Sequence, residues 1–259
     1  MTAEKHHDFD CKAFTARQMD DFILLRFHDK FLLRTTDLSN RDQILDYLDR
    51  ISENEKIKVL IIFGSPEKSG CQEYMDFYHL VMESDMGTDA IHRMYNVINQ
   101  LILKIVRLDK IVIHCNSGKV ISSFLNISLA CDYRIIADNT VFQNPCLQLG
   151  LLPKGGGAYF LQRIIGVSKA FDVLLAEKDI TALEALKMGL VDMVTGMESL
   201  EETAILKAHQ FSRKPKSSLT GVKRLLNYSL RDLEDYLNTE NQELTRAMMS
   251  SETWKQYWA

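Results

Sequence analysis

The chain has 259 residues, 46% hydrophobic and 25% charged, with a formal net charge of −4 and an isoelectric point near 6.0. That balance suits one globular α/β domain with a sizeable core. It gives no global electrostatic reason to expect a nucleic acid partner, and no run approaches the roughly 18 apolar residues of a membrane helix.

The N-terminus, Met1 to Asp8, is polar and lacks the apolar stretch of a signal peptide. His6-His7 reads as part of a frayed end rather than a metal site. Phe22–Phe27, a turn at His28-Asp29-Lys30 and Phe31–Arg34 read as a hairpin. Ser39 or Asn40 is placed to cap a helix from Arg41 to Ile51, where Ile44, Leu45, Leu48 and Ile51 recur at helical spacing. Ile57–Phe63 is nearly all apolar, the pattern of a strand buried on both faces. A loop from Gly64 leads into a helix reaching His79. Ala90–Val106 carries apolar residues at 91, 94, 98, 101, 102 and 105, which predicts an amphipathic helix. Lys110–Cys115 reads as the next strand, with His114 as a buried, hydrogen-bonded side chain. A turn at Ser117-Gly118, a short helix over Ser123–Cys131 and a strand over Tyr133–Ala137 follow. Gly155-Gly156-Gly157 then opens another helix. The first N–H groups of helices at such turns have no intrahelical partner and can hold an oxyanion.

Beyond Gly166 the pattern is helical. Ser168–Leu175, capped by Ser168, and Ala182–Met188, ended by Gly189, come first. Leu200–Phe211 and one long helix from Lys216 to about Met249 follow. The aromatic end, Trp254 to Trp258, reads as packing, with an interface or the chain's own pocket as alternatives. Five cysteines, at 11, 71, 115, 131 and 146, form no Cys-x-x-Cys pair. The expectation is reduced, packed thiols in a cytoplasmic protein.

Several ordered blocks carry a family likeness. They are Ala130-Cys131-Asp132-Tyr133-Arg134-Ile135, then Phe142-x-x-Pro145-x-x-x-x-Gly150-x-x-Pro153-x-Gly155-Gly156-Gly157. Leu161-x-x-x-Ile165-Gly166, Ala170 and Ile180-Thr181-Ala182-x-x-Ala185-x-x-x-Gly189-Leu190-Val191 continue the series. Their order and spacing resemble the crotonase (enoyl-CoA hydratase/isomerase) superfamily, best between Lys58 and Val194. The resemblance implies an α/β fold, a crotonase-like spiral of repeated ββα units with a C-terminal helical region. It implies a spiral core over residues 1–195, a helical trimerisation region over residues 196–259, and a homo-trimer or hexamer.

The resemblance also implies a site. In the family, a Gly-Ala-Asp-like turn and a Gly-Gly-Gly run each present one backbone N–H to a thioester oxygen. Glu73-Tyr74-Met75 and Ser122-Ser123-Phe124 align with them, which makes Tyr74 and Ser123 the expected oxyanion donors. The two hydratase glutamates correspond to Asn126 and Cys146, 20 positions apart as in the family. Neither is a carboxylate, and a free cysteine titrates near 8.5, so the usual two-carboxylate addition of water is not expected. Asn126 remains able to orient a water, and Cys146 to act as a nucleophile beside an electropositive neighbour. Lys154 is a candidate proton donor, base or partner for a substrate carboxylate. Asp76 and His79, three apart on one helix face, are a candidate acid/base pair.

The implied partner is an acyl-CoA or acyl-carrier thioester, with no nucleic acid, no membrane and no metal. CoA would enter only as part of the substrate, without a separate cofactor. The leading reading is an enzyme of the enoyl-CoA hydratase/isomerase group working through an enolate: an isomerase, decarboxylase, C–C hydrolase or atypical hydratase. Another is a non-catalytic thioester-binding or scaffolding subunit. A third, an interaction protein with no ligand, would have Tyr74 or Phe124 filling the pocket.

Overall fold

The computed structural model describes residues 7–65, 70–84, 88–175, 178–250 and 252. In chain order, β1 (Phe9–Asp10), β2 (Phe14–Met19) and β3 (Phe22–Phe27) lead to α1 (Phe31–Arg34), α2 (Leu38–Glu53) and β4 (Val59–Phe63). Then come α3 (Cys71–Met82), α4 (Thr88–Arg107), β5 (Ile111–Asn116), β6 (Lys119–Ile121), α5 (Ser122–Leu129), β7 (Tyr133–Ala137) and β8 (Val141–Gln143). The rest comprises α6 (Gly157–Ile165), α7 (Val167–Leu174), β9 (Ile180–Thr181), α8 (Ala182–Met188), β10 (Met193–Thr195), α9 (Leu200–Ser212), α10 (Lys216–Leu226) and α11 (Leu233–Ser250).

Among the described residues the strands form a seven-stranded sheet, ordered β1-β2-β3-β4-β5-β7-β10, and a three-stranded sheet, β6-β8-β9. β1, β2 and β3 pair antiparallel, and β3, β4, β5, β7 and β10 run parallel. A parallel strand covered on both faces should be apolar throughout, and all five residues of β4 are buried. Side chains alternate across the sheet. Leu60 and Ile62 join the larger core with α2, α3 and α4, while Val59, Ile61 and Phe63 join a smaller one with Leu200, Ala204 and Ala208 of α9. This is the mixed α/β architecture expected.

The conspicuous sequence blocks are partly structural. Asp132 accepts the Val112 N–H at 2.8 Å and the buried Lys223 ammonium at 2.7 Å, tying α10 to the sheet. Arg134 of β7 pairs at 2.9 Å with Asp192, the residue before β10.

Local structure departs from the sequence reading in five places. The hairpin is β2–β3, closed at Asp20, and Phe31–Arg34 is a helix. Lys30, in the left-handed region at φ 57°, reverses the chain so that Phe31 and Leu32 drop into the core as the first turn of α1. Helix α2 starts at Leu38, because the Asp37 carboxylate accepts the Ser39 N–H at 2.8 Å. Gly166, rather than Ser168, occupies the N-cap of α7. The single long C-terminal helix is broken between Leu226 and Leu233, where the Asn227 amide reaches back to the Val106 carbonyl at 2.9 Å. His7 is buried, with its ring 2.8 Å from the Asn54 amide nitrogen, rather than frayed.

The five cysteines are free, and Cys115, Cys131 and Cys146 are buried. Among the described residues no helix is long and apolar enough to cross a membrane. His6 and the Trp254–Trp258 stretch lie outside the described residues.

Candidate active site

The site is built where the small sheet meets α3, α5 and the glycine turn. β6 runs directly into α5, and β8 pairs parallel with β6 in a register that sets Gln143 opposite Ile121. Ile121 is the N-cap of α5, so Ser122 and Ser123 open its first turn, where backbone N–H groups have no intrahelical acceptor. All eight residues of α5 are buried. Ser123 is fully buried, and among the described residues its Oγ has no hydrogen-bond partner.

Asn126 lies one turn further on and donates from Nδ2 to the Lys154 carbonyl at 2.8 Å. Gly157 lets this amide approach, because a Cβ there would sit 2.9 Å from Asn126 Nδ2. The amide expected at a hydratase glutamate position thus fastens α5 to the glycine turn.

Lys154 is fully buried and turns away from that position, into the space between α4 and α11. Its Nζ donates to Glu240 Oε2 at 2.6 Å and to Asn99 Oδ1. Glu240 also accepts the Gly155 N–H at 3.0 Å and the Gly156 N–H at 2.9 Å. The successive N–H groups of a glycine turn form an anion-binding concavity, and here a carboxylate of α11 fills it. Burial lowers the Lys154 pKa below its ordinary value, and the Glu240 charge opposes that shift.

Cys146 is fully buried. Its Sγ lies 3.4 Å from Tyr74 Oη, to which it donates, and 3.5 Å from Ser122 Oγ. Burial raises the thiol pKa, with the hydrogen bonds it shares with Ser122 and Tyr74 opposing. Lys154, the neighbour needed to activate it, is bonded to Glu240 instead. Tyr74, Tyr78 and Tyr95 extend the chain of polar groups through two Oη–Oη contacts of 3.1 Å. Burial raises the pKa of all three phenols. Phe124 is buried too, its ring centroid 5.7 Å from that of Phe31. Ser122, Asn126 and Gln143 share a cavity of only about 20 Å³, room for roughly one water.

Tyr74, the expected oxyanion donor, stands inside helix α3. Helix α3 begins at Cys71 after Gly70, so Tyr74 is its fourth residue, and the ladder opens with the Gly70 carbonyl accepting the Glu73 N–H at 3.1 Å. The exposed end of that ladder is Cys71, three residues earlier, whose N–H donates to Gln143 Oε1 at 3.1 Å. Gln143 Nε2 in turn donates to Asp179 Oδ2 at 2.9 Å. The sequence blocks mark Phe142 and Pro145 but carry no signal for Gln143. Its role follows from the β6–β8 register.

Asp76 and His79 are exposed on α3, and Asp76 Oδ1 accepts from Gln72 Nε2 at 2.7 Å. Both line a separate cavity of about 380 Å³, with Lys30, Leu33 and Phe77 among its walls. Among the described residues no cluster of three or more His, Cys, Asp or Glu side chains is arranged to hold a metal ion.

Comparison with known proteins gives a consistent family. Residues 23–257 match the family model for enoyl-CoA hydratase/isomerase. The chain is 37% identical over 213 residues to a fatty acid oxidation complex subunit alpha of Shewanella baltica (strain OS185), covering 79% of this chain and 29% of that protein. It is 28% identical over 233 residues to the corresponding subunit of Idiomarina loihiensis, covering 83% of this chain and 31% of the relative. The chain thus spans less than a third of the length of these relatives. The crystal structure of an enoyl-CoA hydratase from Bacillus halodurans superposes with a TM-score of 0.81 at 21% identity, over 95% of this chain and 98% of that one. Sequence blocks, sheet topology and matched relatives agree: the chain belongs to the enoyl-CoA hydratase/isomerase family of the crotonase superfamily.

Proposed function

We propose that this chain binds an acyl-CoA or acyl-carrier thioester as a non-catalytic binding or scaffolding subunit, without the two-carboxylate chemistry of a hydratase. One observation carries this reading. Lys154, Asn126 and Cys146 are all buried and hydrogen-bonded to protein, and of the three only Asn126 lines the cavity of about 20 Å³. Proton transfer at carbon needs an acid or base within reach of the reacting atom, and none of these three presents one. CoA enters only as part of the ligand.

The test is incubation with acetyl-CoA, crotonyl-CoA and acetoacetyl-CoA in deuterated buffer, with calorimetry alongside. The expected result is binding without hydration and without deuterium uptake at the α-carbon. Uptake that disappears in Lys154→Ala would overturn the proposal.

A second reading, an isomerase, decarboxylase, C–C hydrolase or atypical hydratase, is favoured by Asp76 and His79 facing the cavity of about 380 Å³. It predicts turnover that Asp76→Asn and His79→Gln abolish separately. Both readings place the protein in the cytoplasm as a homo-trimer or hexamer. Support for assembly comes from α7, where Val167, Phe171 and Leu175 at its end are each more than half exposed, at 58%, 61% and 60%.

A further inference from the structure

We infer that Gln143 is an internal carbonyl ligand, whose side-chain oxygen occupies the N-terminus of α3 and which an incoming thioester must displace. The inference rests on the thioester-binding reading above and names the residue that controls it.

The contact is built from three sides. Helix α3 has twelve residues, and its N-cap, Gly70, offers no capping side chain. The acceptor for the Cys71 N–H comes instead from β8, 72 residues later in the chain. Gly70 has φ +60°, and a Cβ added there would lie 2.0 Å from Gln143 Oε1 and 2.9 Å from Lys119 Cβ. Glycine therefore provides both the backbone conformation and the space for the carboxamide. Asp179 holds the other end of the same amide group, at 2.9 Å from Nε2.

The position of this oxygen gives the contact its meaning. The β6–β8 register sets Gln143 beside the N-cap of α5, and Gln143 shares its small cavity with Ser122. The carboxamide thus lies where two helices begin. Helix N-termini carry partial positive charge and unpaired N–H groups, the surroundings that stabilise a polarised carbonyl. An amide oxygen and a thioester oxygen make equivalent demands on the Cys71 N–H. Both cannot accept it in line at once.

Release is feasible because the outer anchor is weak. Asp179 is exposed and Gln143 half-buried, so water can replace that bond. Rotation of the Gln143 side chain then frees the Cys71 N–H without moving the backbone of either helix.

The experiment compares the wild type with Gln143→Ala and Asp179→Ala by titrating acetyl-CoA and, separately, CoA itself. Amide hydrogen exchange at Cys71 is followed by NMR without ligand. Gln143→Ala is expected to bind acetyl-CoA about three- to tenfold more tightly, the size of one neutral hydrogen bond that no longer needs displacing. CoA, which has no acyl carbonyl, should bind all three forms equally. Asp179→Ala should shift acetyl-CoA affinity the same way by less. The Cys71 amide should exchange faster in Gln143→Ala than in the wild type. Unchanged Cys71 exchange, or equal tightening of acetyl-CoA and CoA, overturns the inference. Faster exchange with no acetyl-CoA binding to any form leaves the Gln143 contact standing and overturns the thioester reading instead.

Discussion

A lysine is an expensive residue to bury, and Lys154 is accommodated by a carboxylate that the glycine turn also grips. This makes the two partners unequal. Glu240→Ala removes the counter-charge and leaves the Gly155 and Gly156 N–H groups without their acceptor, and a loss of about 3–5 kcal/mol is expected. Lys154→Met removes the cation while Glu240 keeps both amide donors, so a smaller loss is expected. Urea unfolding of the two variants checks this, and equal losses would contradict it. A second buried lysine gives a pH signature. Lys110 donates to the Asn54 carbonyl at 2.8 Å, and burial, then the Lys216 charge, lowers its pKa from 10.5 to about 8. Between those values the unfolded chain holds a proton that the folded chain has released, so stability rises with pH across the window. Thermal melts from neutral pH to about pH 10 should show that rise, and Lys110→Met should flatten it. At this scale the sequence supplies the identities of Asn126, Cys146 and Lys154, since the ordered blocks align them. It gives no sign of what they touch. Glu240 lies 86 positions from Lys154, and Gln143 meets Cys71 only through a strand register, so neither partnership leaves a local pattern.

Helix ends decide much of the local architecture. In α8 the Thr181 side chain accepts the Glu184 N–H while Glu184 reaches back to the Thr181 N–H, a reciprocal cap. Thr181→Ala should cost about 1 kcal/mol by urea unfolding, with Thr181→Ser largely neutral. Gly70→Ala is a sharper test, because the added carbon meets both a positive φ and the Gln143 oxygen. A loss of about 1–3 kcal/mol is expected. Part of it should be recovered in the Gln143→Ala background, which removes the carboxamide but leaves the positive φ and the Lys119 Cβ in place. Periodicity suffices to read α4, β4 and α8, since a long apolar stripe, a continuous apolar run and a capped turn are local signals. It misplaces Phe31–Arg34, where a lysine in the left-handed region starts a helix in place of an extended strand. It also joins α10 to α11, because the break depends on Asn227 finding a carbonyl on α4.

At the scale of the whole molecule, one sheet separates two cores of unequal size. The family likeness is legible because the blocks that define it hold this sheet together, as Asp132 and Arg134 do. The exposed stripe on α7 is one of the apolar surfaces that a single chain leaves unburied. Phe171→Glu should shift the assembly towards monomer in size-exclusion chromatography with light scattering, with the fold retained by circular dichroism. An unchanged mass would remove that face from the proposed interface.

The bond from Glu240 back to the glycine turn also sets a timetable for synthesis. Residues 154–156 leave the ribosome long before the carboxylate that receives them. Until residue 240 emerges, the nascent chain must keep the Lys154 ammonium in water, and the layer between α4 and the glycine turn stays open. A translation arrest upstream of Glu240 should therefore yield a species that proteases cut near Lys154, whereas arrest downstream should protect it.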